Sequence, residues 1–339
     1  MDRRTLSHDE TPARPRTDNP TPTFDVVTCG ELLIDFVALE TGVSLADAHA
    51  FEKAAGGAPA NVAVGLARLG HRVGFLGQVG EDDFGDFLAA TLVANGVDTS
   101  GLRRCAVART ALAFVSLKAD GERDFMFYRH PSADMLWEAD ERDLAIAAST
   151  RVFHFGSISL ISEPSRSSTL AAVEAARRAR AVISYDPNLR LPLWPSVDSA
   201  RAGLRHGLRY ANVVKMSREE LAFLSGIDDV ERGVARIWHD QMNLLTVTGG
   251  MEGCLWFTPE GLGSMESFSV TAVDTTGAGD AFVAGVLAGL IEAEFRFEPD
   301  VLEGVMRLAN AAGAITVTRR GAIPALPTRS EVDSFLSER

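Results

Sequence analysis

Seven residues near the C-terminal end, DTTGAGD at 274–280, combine two carboxylates with two glycines directly before an apolar run at 281–291. The apolar run predicts a buried helix, which places the glycines at its N-terminus. Backbone N–H groups there lack intrahelical partners and the helix dipole is positive, so phosphate can bind. An acid at Asp280 suits a base that takes a proton from a hydroxyl attacking that phosphate. A glycine-rich turn capped by an acid explains the same residues, and both interpretations stay open here.

A second glycine cluster, AGGAPAN at 55–61, opens a helix predicted over 60–69. Paired glycines let a polyhydroxy ligand approach the backbone, and the Asn61 amide can donate to hydroxyls and accept from them. Alternatively, Pro59 begins the helix and Asn61 is an incidental polar residue of its first turn. The cluster by itself favours neither interpretation.

Two further polar features stand out by their position. Asp35 lies in an otherwise apolar stretch after the first predicted strand, where its carboxylate either binds sugar hydroxyls or points into solvent. The loop DPNLR at 186–190 carries several polar groups and is stiffened by proline, although polar loops are commonly no more than solvated.

Polar residues also mark the ends of predicted strands. Asp186, Lys215 and the run TGG at 248–250 each stand where a strand ends. In open α/β sheets, ligands bind beyond the carboxyl ends of the strands. We therefore expect one large active site along that edge.

The chain from residue 24 onward alternates strand and helix patterns. Strands are predicted at 25–29, 73–76, 152–155, 182–185, 213–215 and 244–248, and helices at 60–69, 84–94, 166–180, 200–210 and 230–240. This alternation predicts an α/β fold with a parallel sheet covered on both faces. Two stretches break it, 32–39 and the pair 110–118 and 122–128, which read as a hairpin across ADG at 119–121. They predict a small separate sheet that serves as a flap or lid.

Composition limits the function classes. The chain has 339 residues, 46% of them hydrophobic and 23% charged, as in soluble globular proteins. A net charge of −13 argues against a nucleic-acid or membrane-surface partner. Cys29, Cys105 and Cys254 are far apart, so we expect reduced thiols and a cytoplasmic location. Residues 1–23 have no apolar periodicity and are expected to form a disordered tail.

The sequence lacks the motifs of several other nucleotide-binding and metal-binding sites. The chain has no Walker A motif, no GxGxxG after a strand and no histidines at metal-ligand spacing, so a dinucleotide-binding oxidoreductase is poorly supported.

Together, the two glycine clusters resemble the ribokinase-like (PfkB) family of carbohydrate kinases. Finer runs resemble the fructokinases of plants and bacteria: CGELLIDF (29–36), GGAPANVAVGLARLG (56–70), RTALAFVSL (109–117), ERDFMFYRHPSADM (122–135), FGSISLI (155–161) and DPNLRLPLWPS (186–196). The resemblance covers residues 24 to about 328. It implies a three-layer α/β/α sandwich with a mainly parallel central sheet, one kinase domain over 24–339, and a β-sheet lid from segments near 32–57 and 105–130.

The resemblance also implies a role for each matching residue. Asp280 would be the general base, and the backbone N–H groups of Gly277, Ala278 and Gly279 would hold the charge that develops on the γ-phosphoryl group. The residues implied for substrate are Asp35, Gly56, Gly57, Asn61 and, less directly, Arg190. Those implied for ATP are Lys215, Thr248, Gly250, Gly253 and Asn310.

Two departures concern the metal ions. The family's Asn-x-x-Glu motif, linked to Mg²⁺, appears as Ser217 to Glu220, so Glu220 would act on Mg²⁺ through water. The serine itself resembles plant-type fructokinases. Asp274 and Thr276 match a loop that binds a monovalent cation such as K⁺. Ala325 stands where some relatives supply a hydroxyl to that cation, so activation by K⁺ stays open.

The predicted function is an ATP-dependent, Mg²⁺-requiring fructokinase that forms fructose 6-phosphate. Its partners would be a small-molecule sugar and ATP, without nucleic acid or membrane. Related kinases often dimerise through their lids, which makes a homodimer an open expectation. The alternatives are a kinase of 2-keto-3-deoxygluconate, ribose or a nucleoside, and a non-catalytic regulatory relative. A regulatory relative would be expected to lose the base or the glycines, and this chain keeps both.

Overall fold

The computed structural model of the protein describes residues 22–117 and 123–339. Most of the expected N-terminal tail and the hairpin turn at 119–121 therefore lie outside the described residues. The strands within them are β1 (Phe24–Cys29), β2 (Leu33–Thr41), β3 (Phe51–Gly56), β4 (Val73–Gly80), β5 (Val97–Cys105), β6 (Leu112–Leu117), β7 (Arg123–Tyr128), β8 (Thr150–Gly156), β9 (Val182–Asp186), β10 (Val213–Ser217), β11 (Leu244–Thr248), β12 (Cys254–Thr258) and β13 (Gly261–Met265).

The helices alternate with the strands of the large sheet. They are α1 (Ala58–Arg68), α2 (Asp83–Ala94), α3 (Glu141–Ala148), α4 (Ser165–Arg178), α5 (Val197–Leu208), α6 (Arg218–Ser225), α7 (Val230–Ile237), α8 (Ala278–Glu292), α9 (Pro299–Val317) and α10 (Arg329–Ser337). In the described ranges, none of them combines the length and the apolar character needed to cross a membrane.

The large sheet has the strand order β13-β12-β11-β10-β9-β8-β1-β4-β5. It is parallel from β11 to β5, and β12 and β13 add an antiparallel edge. Every strand predicted from the sequence is present. The strands that were missed include β5, an edge strand whose polar sequence VDTSGLRRC lacks the apolar run of a buried strand.

Helices cover both faces of this sheet. Neighbouring residues of one strand pack into opposite cores, as Val26 and Val27 of β1 do. One core also contains residues of α1, α2, α8, α9 and α10, and the other contains residues of α3 to α7. Because side chains alternate across a strand, this division produces the predicted three layers.

A second sheet stands apart, with the order β3-β2-β6-β7. β2 pairs antiparallel with β3 and parallel with β6, and β6 pairs antiparallel with β7. The small separate sheet predicted from 32–39 and 110–128 is therefore confirmed. Its function as a lid stays a prediction.

Helix α8 is buried from Asp280 to Ile291, as the apolar run predicted. Its small residues let neighbouring helices approach. A Cβ on Gly285 would lie 2.5 Å from the Cα of Ala309 in α9, and a Cβ on Gly65 of α1 would lie 2.8 Å from the Cβ of Ala284. Close packing on both sides fixes the helix whose N-terminus carries the DTTGAGD turn.

We expect Gly285→Ala to lower the free energy of unfolding by about 2 kcal/mol, because the added methyl overlaps the α9 backbone, which cannot move away cheaply. Gly304→Ala is the matched control, since a Cβ at this exposed α9 position meets nothing within 4 Å. It should gain about 0.5–1 kcal/mol. Urea unfolding of both variants measures the difference, and equal stabilities would contradict the packing argument.

Candidate active site

A cavity of about 1060 Å³ opens between the small sheet and the N-termini of α1 and α8. It brings together most of the residues that the sequence singled out, namely Asp35, Gly57, Asn61, Arg190, Lys215, Glu220, Asp274, Thr276, Gly277, Gly279 and Asp280. Residues as distant in the sequence as Asp35 and Asp280 therefore line the same cavity. The cavity lies at the carboxyl edge of the parallel strands, where the strand-end pattern placed it.

Asp280 lies in the first turn of α8 and is only 6% exposed. The Asn61 side-chain amide donates to its Oδ2 at 2.7 Å, and the Asn188 amide donates to its Oδ1 at 3.4 Å. Burial raises the pKa of Asp280 to about 6; Asp186 adds to the rise, while the Asn61 hydrogen bond, Lys215 and Arg190 oppose it. Near neutral pH the group is therefore an ionised carboxylate of unusually high basicity.

The turn before α8 requires its glycines. Gly277 has φ +78°, a left-handed conformation, and a Cβ there would lie 3.0 Å from the Cα of Ala322. A Cβ on Gly279 would lie 3.0 Å from the Nζ of Lys215. Ala278 does not line the cavity, and its N–H reaches the Thr275 carbonyl at 3.4 Å. The N-terminus of α8 thus faces the cavity through glycine, with an ammonium group beside it.

Lys215 belongs to a buried cluster of charges. Its Nζ lies 3.1 Å from Oδ2 of Asp186. Burial disfavours its charge, but Asp186 and Glu220 outweigh that effect and raise the pKa of Lys215. Burial, reinforced by Asp186, raises the pKa of Glu220. The Lys215 ammonium thus lies among the carboxyl groups of Asp186, Glu220 and Asp280, each of which favours its charged form.

Glu220 is fixed by backbone donors. The N–H groups of Leu189 and Ser217 donate to its two carboxylate oxygens at 2.7 and 2.8 Å. In return, Ser217 caps α6 and its Oγ accepts the N–H of Glu220 at 3.2 Å. The serine that replaces the family's asparagine is thus half of a capping box, a role for which serine is well suited.

Asp274 ties the glycine turn to the segment after α9. Both the N–H and the hydroxyl of Thr276 donate to its Oδ1, at 2.9 and 2.6 Å, and the Gly321 N–H donates to Oδ2 at 2.9 Å. Across residues 22–117 and 123–339, no three His, Cys, Asp or Glu side chains gather in a geometry suited to a metal ion.

Gly56 and Gly57, the glycine pair implied for substrate, lack room for a side chain for two different reasons. A Cβ on Gly56 would lie 2.0 Å from Oδ2 of Asp35, so Gly56 makes room for that carboxylate without lining the cavity itself. Gly57 has φ +108° and precedes α1, and a Cβ there would lie 2.4 Å from the carbonyl oxygen of Glu31. Only glycine fits at position 57, and a side chain at position 56 would displace the Asp35 carboxylate.

Comparison with known proteins shows the family of the chain. Residues 23–329 match the family described as pfkB family carbohydrate kinase. The chain belongs to this family. It is 54% identical to "Probable fructokinase-4" of Arabidopsis thaliana, over 92% of this chain and 96% of that protein.

Solved structures of two bacterial fructokinases are similar to this chain in fold and sequence. The structure of the fructokinase from Xylella fastidiosa with bound ATP is similar with a TM-score of 0.84 and 38% identity, covering 93% of this chain and 98% of that one. The fructokinase from Vibrio cholerae with fructose, ADP and calcium ion has a TM-score of 0.82 and 37% identity, covering 92% and 99%.

Of the residues implied for ATP, only Lys215 lines the cavity, and the other four lie outside it. Thr248 ends β11 and pairs with Cys254 of β12, and Gly253 has φ +88° in the turn between them. Asn310 of α9 directs its amide toward the sulfur of Cys254 at 3.6 Å. Gly250 lies in the same turn with φ +60°. These residues share one neighbourhood around Cys254.

No specific role was predicted for three polar residues of the site. Asp186 was predicted only to mark the ligand-binding edge of the sheet, and Asn188 was noted only as a polar loop residue. In the structure Asp186 pairs with Lys215, and the Asn188 amide donates to Asp280. Glu31 lines the cavity and is 3% exposed, and burial raises its pKa to about 7. A usable signal existed for Asp186 and Glu31, because each stands at or just beyond the carboxyl end of a parallel strand.

The raised pKa of Asp280 predicts a cost in stability. Because its pKa is about 6 when folded and about 3.9 in an unfolded chain, stability falls as pH rises through 6. Asp280→Asn removes this charge, so we expect the free energy of unfolding of the variant to exceed that of the unaltered protein by about 2 kcal/mol at pH 8. This difference should shrink below pH 5. Thermal unfolding at both pH values measures this. Asp300→Asn, at an exposed helix start, is the control, and a pH-independent difference would contradict the prediction.

Proposed function

We propose that the protein is an ATP-dependent fructokinase that transfers the γ-phosphoryl group of ATP to D-fructose and forms fructose 6-phosphate. The observation that carries this proposal is the buried Asp280 carboxylate, raised in pKa and held by Asn61 at the N-terminus of α8. Membership of the pfkB family and similarity to named fructokinases support the substrate.

Asp280 acts as the general base. It removes the proton of the attacking hydroxyl as the oxygen–phosphorus bond forms and the bond to the ADP leaving oxygen breaks. Negative charge on the transferring group faces the N-terminus of α8, where the N–H groups of Gly277, Ala278 and Gly279 and the ammonium of Lys215 stabilise it. A pKa near 6 keeps the base ionised at neutral pH while leaving it basic enough to accept the proton.

The sugar occupies the part of the cavity between α1 and the small sheet. Asp35 accepts from its hydroxyls, Asn61 donates or accepts, and the backbone at Gly57 allows close approach. Arg190 also lines the cavity, where a guanidinium suits the substrate or its phosphate. Closure of the small sheet as a lid would exclude water, which otherwise competes with the sugar as phosphoryl acceptor.

ATP enters from the side of Lys215 and extends toward Thr248, Gly250, Gly253 and Asn310. Buried acids at 186 and 220 fit Mg²⁺ bound through water, since that ion prefers oxygen ligands and keeps much of its hydration. The ion would neutralise phosphate charge. Asp274 and Thr276 supply oxygens for a monovalent cation such as K⁺ beside the anion hole.

A cytoplasmic location and a homodimer through the lid belong to the same proposal. The three cysteines are free and buried, which fits a reducing compartment. The outer face of the small sheet exposes Met126 and Tyr128, at 42% and 56%, and these would pack against a second copy.

A panel of ATP with fructose, ribose, 2-keto-3-deoxygluconate and a nucleoside tests the substrate. We expect turnover with fructose to exceed the others by at least about tenfold in kcat/KM, with the phosphate on carbon 6 by NMR. Turnover of another member of the panel but not of fructose would favour that kinase instead. Nucleotide binding without any turnover would favour a regulatory protein.

Asp280→Asn should lower kcat by about 1,000-fold, because the amide cannot accept the hydroxyl proton, while the dissociation constant for fructose changes little. In the unaltered enzyme, kcat/KM should rise with pH through about 6, where Asp280 ionises. Steady-state kinetics and calorimetric titration measure both effects. Asp300→Asn again serves as control. If Asp280→Asn retained activity within tenfold of the unaltered enzyme, Asp280 would be excluded as the base.

A further inference from the structure

The small sheet is joined to the body by chain segments that meet beside the sugar half of the cavity. Residues 30–32 lead from β1 into β2, and Gly57 leads from β3 into α1. Residues 106–111 lead from β5 into β6, and the segment from Arg129 onward leaves β7. Any movement of the small sheet as a lid must pivot about these segments.

Glu31 fastens the first two of these segments together. Its Oε1 accepts the N–H of Ala58, the first residue of α1, at 3.0 Å. Its carbonyl oxygen occupies the space that a Cβ on Gly57 would take, at 2.4 Å. A Cβ on Gly30 would lie 2.6 Å from Cγ of Pro59, so the two segments also interlock sterically.

The fastened segment leads directly to the base. Ala58 and Asn61 belong to the first turn of α1, and Asn61 donates to Asp280 at 2.7 Å. A displacement of the start of α1 would therefore move the hydrogen bond that orients the carboxylate. Misplacements of about 1 Å in such arrangements cost on the order of 100-fold in rate.

The other two segments approach the same carboxylate. Arg129 is 5% exposed and forms an ion pair with Asp134, and the Ala133 N–H donates to the Arg109 carbonyl at 2.8 Å. Burial raises the pKa of Glu31; its own backbone, Arg129 and Ala58 lower it, and Asp134 raises it further. Within the described residues, Oε2 of Glu31 and Nε of Arg129 are both buried without a hydrogen-bond partner.

We propose that Glu31 is a positioning residue that fixes the pivot of the lid on the body and, through α1, the placement of Asn61 and Asp280. The hydrogen bond from Ala58 to Oε1 carries this role. The inference rests on the proposed kinase function, because it assigns a mechanical part to the same site.

Three variants test the proposal. Glu31→Ala removes the acceptor, and Glu31→Asp keeps a carboxyl group but is one methylene too short to reach Ala58. Both should lower kcat/KM for fructose by about 30- to 100-fold, through kcat as well as KM. Glu31→Gln keeps an oxygen for the Ala58 N–H and should stay within about fivefold of the unaltered enzyme.

Hydrogen exchange separates positioning from stability. Fructose should slow amide exchange over 33–56 in the unaltered protein and in Glu31→Gln, but not in Glu31→Asp. Asp143→Ala is the matched control, since Asp143 is a buried acid of α3 at 1% exposure, on the face of the large sheet opposite α1 and α8. It should lower the melting temperature and leave kcat/KM unchanged.

Normal kcat/KM in Glu31→Asp, or equal losses in Glu31→Gln and Glu31→Ala, would overturn the proposal. If Glu31→Ala does not fold, the comparison of kcat/KM between Glu31→Asp and Glu31→Gln tests the proposal by itself. An unaltered protein without fructose turnover would contradict the proposed function itself. Normal turnover of the unaltered protein with no effect of the variants would contradict only the role of Glu31.

Discussion

The rest of the site depends on one constraint, that a carboxylate must remain ionised while it is almost fully removed from water. Burial disfavours the ionised form of Asp280, and the structure offsets this with a hydrogen bond from Asn61 and the nearby charge of Lys215. The compensation is partial, which leaves a pKa of about 6. An incomplete compensation of this kind makes a carboxylate both charged and basic near neutral pH.

Helix α8 explains how such a group can be held in place. Its body is apolar on every side and is packed by α1 and α9 through small residues, so it has little freedom to move. Its polar first turn projects from that rigid base into the cavity. Stability is thereby concentrated in the helix body, and the site at its N-terminus can carry unfavourable charge without loosening the fold.

The small sheet follows a different principle. It contributes Asp35 to the cavity, is joined to the body by a few connecting segments, and packs on α2 through Phe36 and Phe84. Glu31 lies where two of those segments meet, and the same residue touches the start of α1. In the proposed mechanism, the hydrogen bond from Ala58 to Glu31 would couple enclosure of the substrate to alignment of the base.

The sequence by itself determined the features that depend on local pattern. Apolar periodicity predicted most strands of the parallel sheet and the buried helix α8. The anion site at the glycine turn before that helix stays a prediction. The polar residues at strand ends predicted the correct edge of the sheet. Strand β5 was missed because its residues are mostly polar, and β12 and β13 form an antiparallel edge that breaks the alternation.

Only the tertiary structure decided which of these residues meet. Asn61 and Asp280 are 219 residues apart, and no local pattern pairs them. The approach of Lys215 in β10 to Gly279 in α8 likewise joins two elements that are far apart in the sequence. Glu31 follows the carboxyl end of β1, but its hydrogen bond with Ala58, 27 residues away, is not encoded in any local pattern. Periodicity reports how a residue sits on its own element, whereas a site is made by elements that long-range packing brings together.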